Sequence, residues 1–218
     1  MARRTAIIFD MDGLMVDTEP LSYQAWMRLL EPHGCVLDEE TYSKMIGRRS
    51  SESAQMVIDA YNLPVTAAEL LHRKEAIFAE IRAQGVPPMP GLWELHEEIM
   101  RRSVPWGVAT SSPRQHADLI LAQLNLSGSC RAIAAGDEVA HGKPAPDIYL
   151  LAADRLGVAP EQCVALEDSA PGCQSAAAAG MLTVAVPSEQ TKSTDLRSAH
   201  FVCNSLHEVL VKLDLLLG

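Results

Sequence analysis

Two aspartates one residue apart close an apolar run near the start of the chain, Ala6-Ile7-Ile8-Phe9-Asp10-Met11-Asp12-Gly13. Three more polar clusters come later: Thr110-Ser111-Ser112, Gly142-Lys143-Pro144 and Glu167-Asp168-Ser169. Asp10, Asp12 and Asp168 would repel one another if brought together, because carboxylates that close do not all ionise cheaply. A hard divalent cation relieves the repulsion, and Mg²⁺ takes oxygen ligands while keeping some of its waters. Lys143 and Thr110 add a point charge and a hydroxyl donor, which suit a phosphoryl group whose oxygens need neutralising. A carboxylate nucleophile can form an acyl phosphate, splitting one hard step into two. A second acid two residues on can protonate the leaving oxygen and later activate water. Each group alone has an ordinary reading as a loop hydroxyl, a solvated lysine or a helix-capping acid. The four together, in this order, predict a site for phosphoryl transfer.

Such a site needs elements that bring the clusters to one place. Residues 5–9 are apolar and β-prone throughout, as a strand buried on both faces reads. Similar runs occur at 104–109, 132–135, 163–166 and 182–186, with a weaker one at 200–203. Helical patterns lie between them. One opens at Ser112-Pro113, an N-cap and N1 pair, and runs to Leu126. Others span about 147–156 (stopping at Gly157), 172–179 (ending at Gly180) and 205–217. This alternation predicts an α/β fold, a doubly wound parallel sheet. Ligands of such sheets bind beyond the carboxyl ends of the strands, where the polar clusters fall. Residues 20–86 break the alternation with helical periodicity alone, and Thr66-Ala-Ala-Glu69 reads as a capping box opening a helix over 67–84. The expected organisation is a core of residues 1–17 and 88–218 with an all-helical cap domain, 18–87, inserted after the first strand.

Composition excludes several classes. The 218 residues are 48% hydrophobic and 21% charged, with a formal net charge of −10. They describe a soluble globular chain without the basic stripe that a nucleic-acid partner would require. Five cysteines, without a CxxC spacing, fit reduced thiols in a cytoplasmic protein better than disulfides or zinc. The N-terminus does not read as a signal peptide, and no apolar stretch approaches the roughly 18 residues that a membrane span needs.

The motifs resemble those of the haloacid dehalogenase superfamily of phosphohydrolases, over nearly the whole chain. Asp10-Met-Asp12-Gly13-Leu14-Met15-Val16-Asp17-Thr18 is similar to the family's first motif, DxDGxxxD(T/S). Thr110 after Gly107-Val108-Ala109, Lys143 in GKPAPD, and Glu167-Asp168-Ser169 with Gly172 are similar to the second, third and fourth. The helical insert resembles the cap of the subgroup that includes β-phosphoglucomutase and small sugar-phosphate phosphatases. The resemblance implies roles. Asp10 would be nucleophile and metal ligand, and Asp12 general acid/base, giving the metal its main-chain carbonyl. Thr110, Ser111 and Lys143 would hold the phosphoryl group. Asp168 would bind Mg²⁺, with Glu167 as second ligand or orienter. Asp12 also argues against dehalogenation, since the dehalogenases that named the superfamily lack the second aspartate.

The positions that carry basic or histidine groups in the mutases fall here on Ser22, Ile46 and Ser50, with Arg48 and Arg49 close but out of register. Hydrolysis of a small phosphorylated metabolite, a sugar phosphate by resemblance, is therefore expected ahead of a phosphomutase. A phospho-accepting receiver domain is a more distant alternative, disfavoured by acids on the first strand and by the large insert. Glu19 could meet a sugar hydroxyl or simply sit at a helix N-terminus. Arg48 and Arg49 could reach the substrate or be solvated loop charges. Trp26 reads as cap core rather than a stacking platform, and His141 as a surface loop residue. The remaining histidines, His116 among them, show no ligand spacing. The cap is expected to open and close about Asp17–Pro20 and Pro87–Gly91, and a chain carrying its own lid is expected to be a monomer.

Overall fold

The computed structural model of the protein describes residues 3–45, 50–188, 191–192 and 194–218. Ile46, Arg48 and Arg49 lie outside these. Among the described residues six strands form one parallel sheet: β1 (Ala6–Phe9), β2 (Trp106–Ala109), β3 (Ala132–Ala134), β4 (Cys163–Glu167), β5 (Leu182–Ala185) and β6 (Phe201–Val202). The helices are α1 (Glu19–Leu30), α2 (Glu39–Met45), α3 (Ser50–Tyr61), α4 (Ala67–Ala83), α5 (Leu92–Arg101), α6 (Arg114–Gln123), α7 (Asp147–Leu156), α8 (Ala170–Ala178), α9 (Leu206–Val211) and α10 (Leu213–Leu217). No helix of the described residues is long and apolar enough to cross a membrane.

The strand order is β3-β2-β1-β4-β5-β6. The chain builds outward from β1 on one side, then crosses to the other, so β1 lies between β2 and β4. Phe9 is in register with Val108 on one side and Leu166 on the other. The residues following these strands must therefore emerge side by side, at the switch point where such sheets open a crevice. All four residues of β1 are buried, which is why it reads as an unbroken apolar run. Small side chains let α7 settle on the sheet: Ala152 and Ala153 pack with Ala109, Ala165 and Ile8. Phe9 and Trp106 meet edge to face at 5.7 Å.

The chain divides into two compact units, Met1–Asp17 with Pro87–Gly218, and Thr18–Val86. The second holds α1 to α4 around Trp26, Leu30, Leu37, Val57 and Leu70. Its longest helix opens on a reciprocal cap, the Glu69 amide donating to Thr66 Oγ1 and the Thr66 amide to Glu69 Oε2.

Several boundaries differ from the sequence reading. The helix after β2 starts at Arg114 and makes no side-chain cap with Ser112, because the Ser112 hydroxyl donates to Asp12 instead. The helix after β4 begins at Ala170, two residues earlier than read, because Ser169 caps it through the Gly172 amide. The C-terminal pattern over 205–217 breaks at Lys212 into α9 and α10.

Candidate active site

Asp10 follows β1, and its amide donates to the Leu166 carbonyl at 2.9 Å, extending the β1–β4 ladder by one bond. Its side chain is buried. Gly13 sits at φ +88°, and a Cβ there would lie 2.5 Å from Asp168 Oδ2, so only glycine lets this turn pass the fourth cluster. The Gly13 amide donates to the Val16 carbonyl, closing the turn. Thr110 follows β2 and is buried, with its amide donating to Ala134 at 3.0 Å. Glu167 ends β4, and Asp168 follows it.

Lys143 draws three clusters together. Its ammonium donates to Asp10 Oδ1 at 2.5 Å, to Glu167 Oε1 at 2.5 Å and to the Ala109 carbonyl at 3.0 Å. Asp10, Glu167 and Asp168 each present an oxygen, and these oxygens lie within 4.8 Å of one another. Asp12 is the more open acid, its side chain 29% exposed against 9% for Asp10. Its Oδ2 accepts from Ser112 Oγ at 2.8 Å and lies 3.4 Å from Thr110 Oγ1. Ser111 is exposed on the same loop.

The electrostatics follow from burial. Desolvation pushes the Asp10 carboxyl well above its usual range, Lys143 opposes this, and Glu167 and Asp168 add to it. Burial likewise raises Asp168 to about 7, with Glu167 reinforcing the shift. Burial alone would lower Lys143, but Asp10 and Glu167 outweigh it and hold the ammonium charged. Fully ionised, three carboxylates against one ammonium would carry a surplus of two negative charges, and the raised Asp10 and Asp168 carboxyls reflect burial and that repulsion. A divalent cation cancels that surplus, and an all-oxygen set suits a hard one. The residues thus fit a metal, with Asp10 and Asp168 as the natural ligands. Glu167 is more fully committed: Oε1 accepts from Lys143 and from the Tyr149 hydroxyl at 2.8 Å, and Oε2 accepts from the Ser169 amide and hydroxyl. Those bonds use about four lone-pair sites, the capacity of a carboxylate.

In the helical unit, Glu19 accepts from the Tyr42 hydroxyl at 2.5 Å. It lines a cavity of about 460 Å³ with Ser22, Trp26, His72, Lys74 and Glu75. Trp26 is also part of that unit's buried core. His141 is exposed and hydrogen-bonded to Asp147 at 3.0 Å.

Two residues escaped the sequence reading. Tyr149 is fully buried with its hydroxyl on Glu167. His116 is 6% exposed, with Nε2 3.4 Å from Asp12 Oδ1. Both lie on buried helix faces, beside Ala152 and Ala153 and beside Ala117, Ile120 and Leu121. That spacing was a readable signal for burial; the polar partner was not readable.

Comparison with known proteins agrees with this geometry. The chain is 33% identical over 180 residues to the phosphorylated carbohydrates phosphatase of Thermotoga maritima, covering 81% of this chain and 82% of that one. It is 36% identical over 184 residues to the fructose-1-phosphate phosphatase YqaB of Escherichia coli, covering 84% and 97%. It superposes on the crystal structure of CbbY from Rhodobacter sphaeroides in complex with phosphate with a TM-score of 0.78 at 29% identity, covering 97% and 99%. The model of the haloacid dehalogenase-like hydrolases matches residues 7–186, which contain all four polar clusters. An acid pair just past the central strand, a lysine bridging its first member to the glutamate that ends β4 and a match through both are what place this chain among the haloacid dehalogenase-like hydrolases, the family to which it belongs.

Proposed function

We propose that this hydrolase is a Mg²⁺-dependent phosphatase that cleaves a small phosphorylated metabolite, a sugar phosphate, through an aspartyl phosphate on Asp10. The observation that carries the reading is the setting of Asp10: at the tip of the central strand, 2.5 Å from the Lys143 ammonium, inside a cluster of three buried carboxyl groups. Members of this family generally work with a divalent metal. Asp10, Asp168 and the Asp12 main-chain carbonyl would hold it; when bound it supplies positive charge to the transferring oxygens and keeps Asp10 ionised.

In the first half-reaction an Asp10 oxygen bonds to phosphorus and the ester P–O bond breaks. Asp12 gives its proton to the departing alkoxide. In the second, water attacks the same phosphorus, Asp12 takes the proton, and the acyl P–O bond breaks to return the Asp10 carboxylate and free phosphate. Lys143, Thr110 and the Ser111 loop receive the phosphoryl oxygens. Glu167 acts as orienter of Lys143, since its own lone pairs are taken. The unit Thr18–Val86 serves as a cap. Glu19, Arg48 and Arg49 are its candidate contacts to the hydroxyl-bearing end of the substrate. The protein works as a cytoplasmic monomer.

The names of the relatives support a phosphorylated carbohydrate as substrate. The deciding experiment is phosphate release from a panel of sugar phosphates and other metabolite monoesters, with Mg²⁺ and with EDTA, for the wild type and Asp10→Asn. Release that EDTA stops and Asp10→Asn lacks is expected. No release from any monoester, or release that survives Asp10→Asn, would remove the reading. A hexose phosphate isomer in place of free phosphate would instead identify a phosphomutase.

A further inference from the structure

We propose that His116 is a positioning residue for Asp12, holding its carboxyl group in one orientation for the phosphatase reaction. The assignment rests on Asp12 being the acid/base of that reaction, and it adds a group on a different element.

A buried imidazole needs a polar partner to offset its desolvation. His116 lies in the first turn of α6 and is 6% exposed. Its Nε2 faces Asp12 Oδ1 at 3.4 Å. The start of α6 is itself anchored: the Arg114 amide donates to Asp137 Oδ1 at 2.9 Å, and the Arg114 guanidinium pairs with Asp118 and Glu138. The other Asp12 oxygen accepts from Ser112 Oγ at 2.8 Å. One oxygen is thus held by the helix and the other by the loop before it. The carboxylate cannot rotate about its terminal torsion without breaking both contacts.

A serine hydroxyl donates or accepts by rotating, so Ser112 keeps its contact with Oδ2 whether Asp12 is a carboxylate or a carboxylic acid. Thr110 Oγ1 lies 3.4 Å from the same oxygen. Donation from His116 Nε2 to Oδ1 holds the opposite edge, so the carboxyl group keeps one orientation through both half-reactions. Apo hydrogen bonds of acid/base groups are commonly long and tighten when substrate binds, which accommodates the 3.4 Å separation. Misplacing a catalytic group by about 1 Å can cost roughly 100-fold.

The test uses leaving groups that need the proton to different degrees. kcat/KM is measured for the fastest alkyl phosphate of the panel and for p-nitrophenyl phosphate, whose phenolate leaves with little protonation. For His116→Leu, the alkyl value should fall on the order of 10- to 100-fold with the aryl value falling much less, so that the alkyl-to-aryl ratio drops as it does in Asp12→Asn. His116→Gln, which keeps an N–H donor, should recover part of the ratio. A purely structural role would lower both substrates together. A ratio unchanged in His116→Leu, from a wild type that is active, overturns this assignment and leaves the phosphatase reading standing; an inactive wild type overturns both. A measurement on the folded wild type guards against variants that do not fold. The ¹⁵N-resolved His116 Nε2–H resonance should be present, and it should move upfield in Asp12→Asn. A neutral ring protonated on Nδ1 alone, or a resonance indifferent to Asp12, overturns the assignment.

Discussion

Lys143 illustrates how much a single side chain can be asked to do. It bridges Asp10, the proposed nucleophile, and the strand-tip Glu167, both buried, and its charge offsets theirs. Replacing it with a side chain of similar length and no charge, Lys143→Met, should lower turnover by about 10²–10³, the usual cost of one lost donor to a developing anion. Phosphate release kinetics check this. Gly172 makes a different demand. A Cβ there would stand 1.9 Å from the Glu167 carboxylate carbon. Gly172→Ala should destabilise the fold by about 1–3 kcal/mol, as overpacking does, and should also slow turnover by displacing the group that orients Lys143. Urea unfolding together with phosphate release would show both effects. A loss of activity with unchanged stability would mean that the Glu167 carboxylate gives way without cost to the fold.

At the scale of elements, caps do local work that reaches the site. Ser169 begins α8 by accepting from the Gly172 amide, and the same hydroxyl donates to Glu167. Ser169→Ala should cost about 1 kcal/mol of stability, the typical worth of an N-cap, read by the urea midpoint. In the helical unit, Asp38 precedes α2 and accepts from the Thr41 amide at 2.7 Å, the Thr41 hydroxyl at 2.8 Å and the Tyr61 hydroxyl at 2.9 Å. These bonds, the amide first, lower its carboxyl from 3.8 to about 2. A depressed folded value means that the stabilisation is complete above the unfolded value of 3.8 and disappears as pH falls through about 2. Acid unfolding followed by circular dichroism should show that slope in the wild type and a shallower one in Asp38→Asn. Equal slopes would show that the Asp38 bonds do not favour the folded state.

For the whole molecule, the proposed metal would link binding to folding. A cation held by Asp10 and Asp168 would require the sheet to bring two distant stretches of chain together, so it would bind the folded state alone. Mg²⁺ should therefore raise the melting temperature and EDTA should reverse the rise, while Asp168→Asn should blunt the response. An identical melting curve with and without Mg²⁺ would contradict a metal at this cluster.

Much of this molecule is legible in its amino-acid sequence alone. The order of apolar runs and helical patterns determined a parallel α/β sheet, because strands buried on both faces cannot disguise themselves as amphipathic ones. The residues following three of the runs, and Lys143 in the loop ahead of the helix near 147, determined the chemical inventory of the site, Asp10, Asp12, Thr110, Lys143, Glu167 and Asp168, because in such sheets the strand tips are where ligands go. What the linear pattern left open was which polar atom meets which. Ser112 read as a helix cap, and the fold gives its hydroxyl to Asp12. Tyr149 and His116 read as ordinary members of apolar helix faces, and only the crossing of α7 and α6 over the strand tips sets them on Glu167 and Asp12. Periodicity reports which face of an element is buried. The partner found there depends on contacts between residues about 18 to 104 positions apart, and only tertiary packing chooses those.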